Sequence, residues 1–293
     1  MAVFKTGANA TSKTRFVGER RWISRISAVL AWTMGLVFFF PILWMVGTSF
    51  KTEGSAQTST PNLRFDGGLD RYRQVMKDLP GTLTFFKALG TSMFVVLVST
   101  LVVLLLAIPA AYALSIRPIH KWRDVLLFFI STKFLPVAAA ILPLYAIFRK
   151  FALLDTRLGL VIVYTSMNLP LAVWMLRSFF SEVPRELIEA AEIDGASFIQ
   201  RVTRILLPIV GPGVSATALL CFIFAWNEFF LAVNLTTFRS QTVPIWVTTM
   251  ISTRGQFLAK LSAAATLACL PVVIAGWAAQ KRLVRGLTMG AVK

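Results

Sequence analysis

Acidic residues, histidine and cysteine are all scarce: 13 of the 293 residues are Asp or Glu, one is histidine and two are cysteine. The lone histidine, His120, lies beside Lys121 and cannot by itself build a metal site or a serine–histidine relay. Cys221 and Cys269 fall inside apolar runs, with neither zinc-site spacing nor a disulfide framework. No catalytic residue and no metal ligand set stands out. No glycine loop of the G-x-x-x-x-G-K-[ST] type occurs, so that cradle for nucleotide phosphates is missing. Charge of either sign is absent from long stretches. Ile26–Phe50 carries none over 25 residues and Ala88–Ile116 none over 29. At about 1.5 Å rise per residue, each run exceeds the ~30 Å hydrocarbon core of a bilayer. With 15% charged and 56% hydrophobic residues, the composition excludes a soluble domain of this length.

What remains is an all-α integral membrane protein with six expected spans. They run at about Ile26–Gly47, Leu89–Leu114, Val125–Phe148, Leu158–Leu176, Pro208–Asn234 and Leu261–Gln280. The third is interrupted only by Lys133, which either faces the bundle interior or snorkels to an interface. Prolines at 109, 136, 143, 170 and 271 each remove a backbone donor and invite a kink. The first span is long and no small-residue cleavage site follows it, so it is expected to be retained rather than cut as a signal peptide.

The net charge of +17 sits at the ends of apolar runs, which reads as membrane topology rather than nucleic-acid binding. With the N-terminus inside, the inner segments hold 17 Lys and Arg and the outer segments 12. Arg20, Arg21 and Arg25 precede the first span, and Lys281, Arg282 and Arg285 follow the last. Both termini are therefore expected in the cytoplasm. The expected division is an N-terminal segment 1–25, a membrane domain 26–283 and a C-terminal tail 284–293. Coupling helices lie at about 181–207 and an outer loop at about 235–260. In the first outer loop, residues 69–79 carry helical spacing and read as a short surface helix.

One segment breaks the apolar pattern. "EAAEIDGASFIQRVTRILLP", residues 189–208, places Glu189, Glu192, Asp194, Arg201 and Arg204 between two spans. Leu187, Ile188, Ala191, Phe198, Val202 and Ile205 fall near one helical face, and Glu186, Glu189 and Glu192 share another. Gly195 interrupts the middle and permits a sharp bend. The pattern predicts two short amphipathic helices hinged at Gly195, with the next element starting at Pro208. Its acidic face argues against resting on an anionic inner leaflet and for docking a protein.

These residues resemble the signature of permease subunits of binding-protein-dependent ATP-binding-cassette importers. That signature is Glu-Ala-Ala, three residues, Gly, nine residues, Ile, one residue, Leu-Pro. Here Glu189, Ala190, Ala191, Gly195, Ile205, Leu207 and Pro208 match it throughout, and Asp194 lies within it. The resemblance implies a helix–turn–helix coupling element between spans four and five that seats in a groove of an ATPase subunit. In that reading, Ala191 and Gly195 are small so that backbones approach closely. "FAWNEFFLAVNLTT", "LVRGLTMGAVK" and "PLYAIFRKFALLDTRLGLVIVY" resemble the maltose-type carbohydrate importers, and "STKFLPVAAAILPLY" the sugar-alcohol branch. The likeness implies a second, different permease subunit, two ATPase subunits and an extracytoplasmic solute-binding protein. It implies no cofactor on this chain, ATP and magnesium on the ATPase subunits, and residence in the cell inner membrane.

Further roles follow from the same resemblance. Arg285, Gly286, Leu287 and Thr288 would reach the ATPase dimer. Thr253, Arg254, Gly255 and Gln256 would probe the binding protein's sugar cleft. Trp226, Asn227 and Glu228 in the outer half of span five suit a carbohydrate path, since aromatic faces stack on sugar rings and polar groups bond hydroxyls; helix–helix hydrogen bonding is the competing role. An ion-coupled secondary transporter, or a permease for a non-carbohydrate solute, is the alternative. The former would want several intramembrane carboxylates, and Glu228 alone lies well inside a span.

Overall fold

A computed structural model describes residues 11–58, 60, 63, 65–77, 83–252 and 255–290. In chain order, α1 (Thr11–Ser49) is followed by two short helices, α2 (Glu53–Ala56) and α3 (Asp70–Met76). Then come α4 (Phe85–Ser115), α5 (Trp122–Ser131), α6 (Val137–Lys150) and α7 (Arg157–Ser181). Next are α8 (Arg185–Ile193), α9 (Phe198–Gln200), α10 (Leu207–Trp226) and α11 (Phe230–Leu235). α12 (Val243–Thr248), a two-residue hairpin of β1 (Ile251–Ser252) and β2 (Gly255–Gln256), and α13 (Leu258–Gly290) complete it.

Among the described residues, five helical stretches are long and apolar enough to cross a membrane: Ser24–Ser49, Phe85–Ser115, Arg157–Ser181, Phe198–Trp226 and Leu258–Gln280. A sixth crossing requires α5 and α6 to be taken as one broken span, because they meet at 93°. The kink invited at Pro136 is thus a full break that divides the expected third span. Thr132–Phe134 winds as a 3-10 turn, Leu135 is extended, and Pro136 starts the new direction. A residue before proline is driven out of the helical region, which fixes the break there. Pro109, Pro143, Pro170 and Pro271 lie within continuous helices instead.

The core is a seam between α4 and α7. On α7, Leu160, Tyr164, Asn168, Ala172, Leu176 and Phe180 recur every fourth residue and are all fully buried. They face a stripe on α4 that includes Ser92, Val96, Ser99, Val103, Ala107 and Ala111, equally buried. Small side chains on one helix let the backbones come close, the usual device where lipid gives no hydrophobic drive. α10 joins the seam through Gly213, where an added Cβ would sit 2.4 Å from the Phe179 ring. At the far end of α7, Arg177 stacks 4.2 Å from the Trp122 ring of α5.

The expected outer loop 235–260 is not wholly exposed. Its stretch of Val243, Ile245 and Trp246 is buried, with Trp246 against Phe85 at 5.0 Å between rings. The Val243 N–H donates to Ser92 Oγ of α4 at 2.8 Å. The preceding segment is pinned by Asp155, whose carboxylate accepts the backbone N–H groups of Thr237, Phe238, Arg239 and Ser240 at 3.0–3.1 Å. Burial works to raise the Asp155 pKa, but these four donors prevail and hold it below the ordinary carboxylate value.

Candidate functional site

The segment from Pro184 folds as a helix, a turn and a second helix. α8 ends in a complete Schellman motif: the Ala196 N–H donates to the Ala191 carbonyl at 2.9 Å and the Gly195 N–H to the Glu192 carbonyl at 3.0 Å. Gly195 occupies the left-handed position with φ +78°, and nothing lies within 4 Å of where its Cβ would be. Its role is backbone conformation rather than space inside this chain. Ser197 then caps the next helix reciprocally with Gln200, each side chain bonded to the other's backbone N–H.

The second helix does not stop at Pro208, as expected from the sequence. Phe198–Trp226 runs as one 29-residue stretch, with Arg201–Leu206 wound as a π-helix just before the proline. Pro208 has no N–H and its ring would press on the Arg204 carbonyl of a regular α-helix; the wider winding relieves both. The turn is thus joined rigidly to a membrane span.

Burial sorts the signature residues. Ile188, Val202 and Leu206 pack into the chain's own core beside Tyr112, Leu114 and Phe180. Ala191 is itself buried, so it faces the chain rather than the outer edge of the turn. Leu187 and Phe198, expected with that face, are exposed, though the Phe198 ring rests edge-on against Tyr112. Glu189, Ala190, Asp194, Gly195 and Pro208 are exposed, while Ile205 and Leu207 are half-buried. Ile193, 87% exposed, and Ile199 project beside the turn. The outer edge of the turn is thus both apolar and acidic.

Glu192 departs from the outward acidic face on which its spacing placed it. Its carboxylate pairs with Arg201 across the turn and with Arg117 at 2.5 Å, just beyond the end of α4. Sequence reasoning missed Arg117; it lies 75 positions away, with no local signal of the contact.

The stretch Trp226–Glu228 is not helical throughout, which corrects the expectation of three consecutive positions on one helix. α10 ends at Trp226, and Asn227 folds both its backbone N–H and its side-chain amide onto the Ile223 carbonyl at 3.1 and 2.8 Å. The Glu228 carboxylate accepts the Leu231 N–H at 2.8 Å, opening α11, while its carbonyl accepts from the Tyr164 hydroxyl at 3.1 Å. Trp226 is 3% exposed; it stacks on Phe222 and its indole N–H donates to the Ala268 carbonyl of α13 at 3.1 Å. Asn227 is exposed and Glu228 half-buried.

The break in the third span lies close to this one. A cleft of about 270 Å³ is lined by Lys133 and Leu135 from the first break, Ser166 and Met167 from α7, and Leu231 just past the second. Lys133 does not snorkel away; its ammonium donates to the Met167 carbonyl at 2.6 Å. Two interrupted spans thus bring the cation Lys133 and the carboxylate Glu228 to one side of α7. Interrupted helices with freed polar backbone are how membrane transporters build mid-membrane polar sites.

Other expected positions are less fully described. Thr253 and Arg254 lie outside the described residues, and Gly255 and Gln256 are described by backbone only, as β2. Arg285, Gly286, Leu287 and Thr288 continue α13, but their side chains lie outside the described residues. Among the described residues, no group of three or more His, Cys, Asp or Glu could hold a metal ion.

Residues 104–289 match the family model described as "Binding-protein-dependent transport system inner membrane component". The chain is 34% identical over 277 residues to the trehalose/maltose transport system permease protein MalG of Thermococcus litoralis, covering 94% of this chain and 97% of that one. It is 34% identical over 261 residues to the sulfoquinovosyl glycerol transport system permease protein SmoH of Agrobacterium fabrum, covering 87% and 88%. The fold is similar to a chain in the crystal structure of a bacterial ABC transporter importing the acidic polysaccharide alginate, with TM-score 0.72, 22% identity, and 94% and 99% of the two chains covered. An all-helical membrane bundle with a fixed turn running into a span, matched along most of its length, belongs to the binding-protein-dependent transport system inner membrane components.

Proposed function

We propose that this chain is the translocation subunit of an ATP-driven importer for a sugar, sugar alcohol or sugar derivative. Family membership makes it a multi-pass inner-membrane permease subunit rather than an ATPase. The relatives' names, trehalose/maltose and sulfoquinovosyl glycerol, support a carbohydrate cargo. The observation that carries the reading is the turn at Gly195. Its exposed edge, Glu189, Ala190, Asp194 and Gly195, is fixed by the Schellman motif and continues without interruption into a span.

In this reading the edge seats on an ATPase subunit at the cytoplasmic face. Closure of the ATPase pair pushes α8, and the push divides along two routes. One is the continuous helix Phe198–Trp226; the other is Glu192 with Arg117, which leads to α4. Both reach the interrupted spans, where Asn227, Glu228 and Lys133 line or steady the path and Trp226 holds α10 to α13 from behind. The C-terminal residues Arg285–Thr288 add a second ATPase contact. The 253–256 tip reaches the solute-binding protein outside. A second permease subunit completes the pore, and ATP and magnesium are bound by the ATPase subunits.

The orientation is tested by cysteine labelling in a background lacking Cys221 and Cys269. Single cysteines at Gly54 and Thr248, both exposed positions, should react with a membrane-impermeant maleimide in intact cells. One at Ser197 should react only after the cells are opened, and an ATPase subunit should co-purify with the chain. Labelling of position 197 in intact cells would overturn the docking assignment.

A further inference from the structure

A second polar site lies far from the turn, where the apolar part of α1 ends. A cleft of about 370 Å³ opens between the end of α1, the region of α2 and the start of α13. Lys51 lines it and is only 3% exposed; its ammonium lies 4.4 Å from the centre of the Trp44 ring. Among the described residues, no carboxylate lies within ion-pair distance of it. The acidic groups nearby in sequence are engaged elsewhere. Glu53 caps α13 by accepting the N–H groups of Ala259 and Lys260, and Asp66 accepts from Thr52 and Ser55. Thr48 lines the same cleft, is 7% exposed, and its buried hydroxyl has no hydrogen-bond partner.

A nearly buried lysine with no carboxylate partner among the described residues and an orphaned buried hydroxyl, both lining one cleft, are costly unless a ligand completes them. Both call for an anionic oxygen. The level of the site says where that oxygen comes from. The apolar stretch Ser24–Ser49 ends two residues before Lys51, and Trp44 lies within its last two turns, the depth at which interfacial tryptophans gather. The rest of that wall is apolar, Pro41, Trp44 and Met45, and continues into the exposed face of α1 at Ile42 and Leu43. Thr58, Thr60 and Ser262 supply hydroxyls around the cleft, and among the described residues it offers no carboxylate to a headgroup amine.

We infer that this cleft binds the phosphate of an anionic, glycerol-headed phospholipid. The phosphate accepts from Lys51 and Thr48, the headgroup hydroxyls meet those of the cleft, and an acyl chain lies along α1. The site is independent of the proposed cargo and of ATPase docking.

The test uses the assembled complex in detergent, titrated with dioleoylphosphatidylglycerol while thermal unfolding is followed. The wild-type complex should show a saturable rise in Tm that dioleoylphosphatidylcholine and inorganic phosphate do not reproduce. Lys51→Ala should weaken the apparent affinity at least about tenfold, the scale of one lost charge-assisted contact. Lys51→Arg should restore most of it, and Thr48→Val should give an intermediate loss without removing charge. Unchanged affinity in Lys51→Ala, or an equal response to phosphatidylcholine or to phosphate alone, would overturn the inference. So would a lipid-insensitive wild-type complex whose second permease subunit is lost from Lys51→Ala, because a partner's carboxylate would then be the group that Lys51 meets.

Discussion

Replacing Gly195 with valine should abolish import while leaving the protein inserted, assembled and able to hydrolyse ATP at its basal rate. The reason is conformational. Gly195 holds φ +78° at the end of α8, and open space surrounds its missing Cβ, so no clash inside the chain can account for a loss. An ordinary residue there carries about 1–2 kcal/mol of left-handed strain, and a β-branched one more. The cheapest relief is to unwind the last turn of α8, which breaks the bonds from Ala196 to Ala191 and from Gly195 to Glu192. Glu192 then loses its alignment with Arg201 and Arg117, and the exposed edge shifts relative to the span. Since about 1.4 kcal/mol is a factor of ten, transport should fall tenfold or more in Gly195→Val. Gly195→Asn is the control, because asparagine tolerates this backbone region; it should stay within about twofold of the wild type. Normal transport by Gly195→Val would remove the turn from the coupling route.

The second large effect is expected at Glu228. Its carboxylate accepts the Leu231 N–H and so opens α11, and its carbonyl is held by Tyr164. Glu228→Gln keeps an oxygen acceptor at the same place and should preserve both the break and most of the transport. Glu228→Leu removes the acceptor, leaves a helix-start N–H unpaired at a cost of about 1–2 kcal/mol, and takes the carboxylate out of the proposed path. The leucine variant should still assemble with ATPase subunits and hydrolyse ATP, while uptake drops at least about tenfold. Failure of Glu228→Leu to assemble would make the residue structural only. Normal uptake would place it outside both roles.

How much of this was legible in the sequence depends on the range of the interaction. Hydropathy locates α4, α7 and the apolar part of α13 to within a few residues, because the absence of charge over a run long enough to span is a local property. It reports polarity and not direction, so the 93° bend at Pro136 was hidden inside one apolar run, although the proline itself was visible. The end of α10 at Trp226 carries no proline or glycine; it is set by Tyr164 and by the self-capping of Asn227. The turn at Gly195 is legible from the glycine itself, whereas the Ser197–Gln200 capping box, equally local, went unread. The partners of Glu192 at Arg117, of Asp155 at 237–240 and of Trp226 at Ala268 join residues 42–85 positions apart. Such pairings appear only once the chain is folded. The inward face expected of α8 holds at Ile188 and Ala191 but not at Leu187, which is exposed, and the outward face fails at Glu192, whose two arginines draw it back toward the protein.

The most direct measurement is uptake by proteoliposomes carrying this chain with the second permease and ATPase subunits proposed for it. The solute-binding protein and a labelled sugar panel are supplied outside, and ATP is sealed inside. The account predicts accumulation of at least one sugar, sugar alcohol or sugar derivative that requires internal ATP and the binding protein and survives collapse of ion gradients by ionophores. Uptake that continues without ATP and stops when an ion gradient is collapsed would contradict it.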